Sequence, residues 1–119
     1  MNKVEMSLED FLQNSKDKPD TLMVIDFKAS WCGPCKILTP FMEELVPNYP
    51  DVIFYVIDSD DDETEEIVEH FGIKGLPTII YIKNAEVVST VVGVDKQKIE
   101  DTINDNLWLN ELLWLNENL

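Results

Sequence analysis

Thr21-Leu22-Met23-Val24-Ile25-Asp26-Phe27 runs into Trp31-Cys32-Gly33-Pro34-Cys35-Lys36, and then into Ile37, Leu38, Phe41, Met42, Leu45 and Val46. The first run is almost continuously apolar, the mark of a strand buried on both faces. Asp26, its one charged member, is out of place there. The last set recurs at helical spacing. The stretch therefore reads as buried strand, cysteine motif, helix. Pro40 falls inside the helical pattern and predicts a kink; Pro47 and Pro50 close it.

Upstream, Ser7 followed by Leu8, Phe11 and Leu12 predicts an N-capped amphipathic helix, ended by the polar residues 15–20 with Pro19. A short edge strand is expected near Val4. Downstream, residues 52–57 form a second buried strand, and Ile67, Val68 and Phe71 a short helix. The acid run from Asp58 to Glu63 supplies the acidic first turn that suits a helix dipole. A calcium loop is the sharper reading of that run, but the glycine its turn requires is missing. Residues 72–75 make a connector, residues 78–82 a third strand and residues 87–92 a fourth. Lys83-Asn84-Ala85-Glu86 is the hairpin turn between these two, and Asp95 caps a final helix from Lys96. Strands around the middle helices should be parallel and the terminal hairpin antiparallel. The expected class is α/β: a central mixed sheet of four to five strands, flanked on both faces by four helices.

A chain of 119 residues, 45% of them hydrophobic, fits one domain with a core large enough to fold without staples. No apolar run approaches the ~18 residues of a membrane span. Met1-Asn2-Lys3-Val4-Glu5 has no apolar signal core behind it, so a reducing, cytoplasmic compartment is expected. There are 24 acidic residues against 9 basic ones, all lysine, for a net charge of −15. Such a surface repels phosphate backbones and anionic lipid, so neither nucleic acid nor membrane is an expected partner. It favours partners with basic docking faces, although the acidity is also explained by solubility alone.

The chain has 2 cysteines, and they need a reason. A four-ligand zinc site would need more soft ligands, and His70 is the only histidine. A structural disulfide closing so short a loop adds little. Redox chemistry remains. A thiol at a helix N-terminus meets unpaired amides and the positive end of the dipole, which stabilise its thiolate. That assigns Cys32 as nucleophile on a substrate disulfide and Cys35, one turn on, as the thiol that resolves the mixed disulfide. Pro34 suits the first helical turn, where a missing N–H costs nothing, and Gly33 lets a substrate backbone come close.

Residue by residue, Trp31-Cys32-Gly33-Pro34-Cys35-Lys36 resembles the active-site motif of the thioredoxin family. Asp26 stands where that family keeps a buried acid and Pro40 where it keeps a helix kink. Gly75-Leu76-Pro77-Thr78 resembles its cis-proline loop, and Gly93 falls where a glycine follows the last strand. The resemblance covers residues 4–107 and implies a thioredoxin domain over residues 1–107. It implies a protein-disulfide reductase and electron carrier of cell redox homeostasis, without bound cofactor, whose Cys32–Cys35 disulfide is recharged by a thioredoxin reductase. Disulfide-containing client proteins are the implied partners. Asp26, through a water, would take the proton of Cys35; its alternative is a tolerated buried acid. A raised carboxyl pKa would suit a proton shuttle. Pro77 is expected in cis facing the cysteines, with the Leu76 backbone pairing with an extended substrate segment. Trp31, Gly33, Pro34, Leu76, Pro77 and Gly93 are the implied substrate-binding residues, Trp31 serving as an apolar platform or for packing alone. No metal site is implied.

Two positions depart from the pattern. Lys28 replaces an aromatic or small residue; with Lys36 it either helps hold the thiolate or is simply solvated. Ala85 replaces a common turn glycine, and strain follows if positive φ is required there. Beyond Leu107 the chain continues as a near-repeat, Trp108-Leu109-Asn110-Glu111-Leu112 and Trp114-Leu115-Asn116-Glu117-Asn118. Residues 108–119 are expected as an apolar helical extension with more than the one apolar stripe a surface helix needs. The readings open for it are self-association, a partner groove, folding back over the sheet edge, or a duplicated helix end without function. Two other functions stand beside reduction: a secretory oxidase or isomerase, and a binding module that uses the fold as a scaffold.

Overall fold

The computed structural model describes the backbone of residues 1–118 and the side chains of residues 1–107. The elements run β1 (Asn2–Lys3), α1 (Leu8–Asp17), β2 (Met23–Lys28), α2 (Gly33–Leu45), β3 (Ile53–Asp58), α3 (Glu65–Phe71), β4 (Thr78–Lys83), β5 (Glu86–Val92) and α4 (Lys96–Asn118). The strands form one sheet in the order β1-β3-β2-β4-β5. β1 and β2 pair with β3 in parallel, whereas β4 pairs antiparallel with both β2 and β5. The mixed sheet of the sequence reading is present with its edge strand, which makes it five-stranded. The apolar tail faces expected of residues 108–119 concern side chains outside the described residues.

Strand side chains alternate between the two faces, and both faces are covered. On one, Val24, Phe54, Ile79, Tyr81 and Val91 pack against Leu38, Met42 and Leu45 of α2 and Ile99 and Ile103 of α4. On the other, Met23, Ile25, Phe27, Ile57, Ile80 and Ile82 pack against Phe11 of α1 and Ile67 of α3. Each fully buried side chain of this size contributes ~1.5–3 kcal/mol relative to exposure. This double cover is why residues 22–27 read as an apolar run broken only by Asp26.

Local chemistry sets the element ends. Ser7 Oγ accepts the N–H of Asp10 at 3.1 Å, capping α1. Asp95 Oδ1 accepts that of Lys98 at 3.1 Å, capping α4. Gly72, at φ 63°, ends α3 in the left-handed conformation. The acid run does not enter α3 directly; Asp62–Thr64 first forms a short 3-10 turn. The polar stretch expected to end α1 from residue 15 ends it later, since the helix runs to Asp17 and Ser15 is a fully buried member of it. Its Oγ accepts the N–H of Ala85 at 2.8 Å, so α1 anchors the distant hairpin turn. In that turn Asn84 (φ 49°) and Ala85 (φ 63°) are both left-handed. The substitution of glycine by Ala85 therefore falls at a strained position.

Candidate active site

The parallel strands β2 and β3 deliver their C-terminal ends to one edge of the sheet. β4 begins and β5 ends at that same edge. There Cys32 is the N-cap of α2, and its Sγ accepts the N–H of Cys35 at 3.2 Å. Pro34 occupies the first turn, as its missing donor allows. Cys32 and Cys35 are joined as a disulfide with Cα atoms 5.3 Å apart, so the structure is that of the oxidised protein. Both are buried, with Ala29 beside them and Leu76 packed against the cluster.

Leu76 comes from a segment far away in sequence. The Leu76–Pro77 peptide is cis. Thr78 Oγ1 donates to the carbonyl of Gly75 at 2.6 Å and closes the loop on itself. Gly93, at φ 88°, donates its N–H to the Pro77 carbonyl at 2.9 Å, which ties the end of β5 to the same loop. A Cβ at Gly33 would meet nothing within 4 Å, so the space over the motif is open. Trp31 is 69% exposed beside it. Ile37 is 60% exposed, although the helical pattern counted it among the apolar face of α2; burial falls instead to Cys35, Leu38, Met42 and Leu45.

Asp26 lies on the α2 side of β2. Its neighbours across the sheet are Val56 and Ile79, which offer no donor. It is 1% exposed, and neither carboxyl oxygen has a hydrogen-bond partner among the described residues. Burial pushes its pKa up to about 6, with the Lys28 ammonium pulling it down and Glu43 adding to the rise. The sequence reading leaves Lys28 between holding the thiolate and being solvated, and does not single out Glu43, so this charge environment is a finding of the structure. The i, i+2 spacing of Asp26 and Lys28 on one strand was the available signal. Among the described residues no group of three or more His, Cys, Asp or Glu is arranged to hold a metal.

A couple of this kind exchanges two electrons with another dithiol or disulfide and needs no bound group. The Thioredoxin family model matches residues 2–105. The chain is 39% identical to the thioredoxin of Ophiophagus hannah over 103 residues, which is 87% of this chain and 96% of that protein. It is 40% identical to that of Homo sapiens over 86 residues, 72% of this chain and 80% of the other. Among solved structures, Fasciola hepatica thioredoxin superposes with a TM-score of 0.80 at 29% identity, covering 89% of this chain and 99% of that one. The redox pair at the mouth of α2 thus sits in a frame shared across long stretches of sequence, and the chain belongs to the thioredoxin family, working by dithiol–disulfide exchange through Cys32 and Cys35.

Proposed function

We propose that this chain runs the exchange in the reducing direction, as a protein-disulfide reductase of the cytoplasm recharged by a thioredoxin reductase. The observation that carries this reading is the Gly33-Pro34 pair between the cysteines, which places no cationic side chain there to favour the dithiol form, while the Cys35 N–H at Cys32 Sγ and the helix dipole supply the nucleophilic thiolate. No helix among the described residues is long and apolar enough to cross a membrane.

In the cycle, the Cys32 thiolate attacks a client disulfide and forms a mixed disulfide, releasing one client sulfur as thiolate. Asp26, through a water, takes the proton of Cys35. The Cys35 thiolate then attacks Cys32 Sγ, which closes the Cys32–Cys35 disulfide and expels the second client sulfur. The client gains two electrons and the protein loses two. A carboxyl with a pKa of about 6 is ionised near neutrality yet basic enough to hold that proton transiently. Leu76 and Pro77, at the cysteines, offer an extended client segment its backbone partner, with Trp31, Gly33, Pro34 and Gly93 forming the rest of the docking surface. Residues 1–107 constitute the working domain, and residues 108–119 an apolar extension for self-association or a partner.

Equilibration of the Cys32–Cys35 couple against thiol buffers tests the direction. Thioredoxins as a class lie at roughly −270 mV and protein disulfide isomerase at about −180 mV, reference values for the two classes. A potential near the first supports the reductase. One near the second assigns the chain to oxidation or isomerisation.

A further inference from the structure

We propose that Lys28 is a positioning residue for the exchange reaction: from the same face of β2, two residues beyond Asp26, its ammonium steadies the ionised Asp26 carboxylate that receives the Cys35 proton, in opposition to Glu43 of α2. This rests on the proton-acceptor reading of Asp26 given above.

The geometry leaves few other groups for the task. Asp26 has Val56 on one side and Ile79 on the other, so the sheet presents it only with apolar side chains. Both of its oxygens are buried without a hydrogen-bond partner among the described residues. Among the described residues no protein donor spreads the charge of a carboxylate so placed, so nearby full charges weigh heavily on it. Side chains at i and i+2 project from the same strand face, their Cα atoms roughly 6.6 Å apart. Lys28 is half-buried at the end of β2, so its field is screened less than that of a fully exposed lysine. Its ammonium lowers the carboxyl pKa against burial, and Glu43 opposes it. Glu43 is itself held by the Met1 amine at 3.1 Å and is half-exposed, so its influence is the weaker. Across the sheet Lys28 is level with Asp58, whose Oδ1 is engaged by the Asp60 N–H at 3.0 Å. On this side of the sheet lie also Tyr81 of β4, whose hydroxyl donates to the Ile99 carbonyl at 2.9 Å, and Cys35, the proton's source. Lys28 is thus assigned to the acid behind the disulfide, rather than to the thiolate or to solvent.

The test follows the Asp26 carboxyl carbon by NMR against pH in the full chain, together with the pH profile of mixed-disulfide resolution. The wild type, Lys28→Gln, Lys28→Arg, Glu43→Gln and Asp26→Asn are compared. The expected result is an Asp26 midpoint raised by roughly half a unit or more in Lys28→Gln. It should be lowered in Glu43→Gln and restored in Lys28→Arg, with the resolution profile moving in step. An Asp26 midpoint that ignores Lys28 overturns the proposal and leaves the proton-acceptor reading standing. A midpoint that moves while the resolution profile stays fixed also overturns it, and an unchanged profile in Asp26→Asn then shows that the acceptor reading failed first.

Discussion

Asp26 keeps a carboxyl almost fully buried and, among the described residues, without a protein hydrogen-bond donor, and the consequence for stability has a definite sign. Its folded pKa of about 6 lies above the ordinary carboxyl value of 3.8, chiefly through burial. The folded state therefore binds the proton more tightly than the unfolded chain, and stability falls as pH rises from about 4 through about 6, then levels off. The full penalty at neutral pH is about 3 kcal/mol. Asp26→Asn removes the charge and is expected to stabilise the protein by about that amount at pH 7, with little gain below pH 4. Urea titrations of both proteins at the two pH values would show this, and an equal gain at both would trace the effect to packing. Resolution of a mixed disulfide should slow in the same variant, so stability and activity should separate at this one residue.

At the scale of elements, the hairpin between β4 and β5 shows how a weak turn is held. Ala85 adopts φ 63°, a conformation that strains any residue with a Cβ. The buried hydroxyl of Ser15 holds its N–H from α1. Ala85→Gly is expected to raise stability by about 0.5–1 kcal/mol in denaturant titration by relieving strain. Ser15→Ala should lower it by about 1–3 kcal/mol, since the Ala85 N–H loses its partner. If Ala85→Gly destabilised instead, the greater freedom of glycine in the unfolded chain would outweigh the strain. The same anchoring logic operates at the active edge, where Gly93 ties β5 to the Pro77 carbonyl and so keeps loop and strand in step.

For the whole molecule the dominant fact is charge. A net −15 on 119 residues, with lysine as the only strong cation, makes the folded surface repel itself. Raising NaCl from about 10 mM to about 0.5 M shortens the screening length severalfold. It should raise Tm by roughly 4 °C or more, readable by circular dichroism at pH 7. A flat or falling Tm would show that local ion pairs outweigh the net repulsion. The same field predicts that reduction of clients with basic flanks slows as salt rises, because electrostatic steering is screened.

Much of the fold and site was legible beforehand because it is written in local patterns. Double-sided burial makes a strand uniformly apolar, which exposed residues 21–27 and the anomaly of Asp26. Helix caps and redox cysteines depend on neighbours a turn away, so Ser7, Asp95 and the Cys32–Cys35 pair could be assigned from spacing. The burial of Ser15 and the exposure of Ile37 are not legible in the pattern, since each depends on which remote surface arrives: the hairpin turn meets Ser15, whereas Ile37 stays 60% exposed among the described residues. The sequence by itself thus determined the elements, their order and the chemistry of the cysteine motif, all consequences of short-range geometry. Only the tertiary structure brought Leu76 against the cysteines and tied Gly93 to Pro77. It also enclosed Asp26 between Val56 and Ile79 within reach of Lys28 and Glu43, because those neighbours are made by strand pairing and helix packing across long stretches of chain.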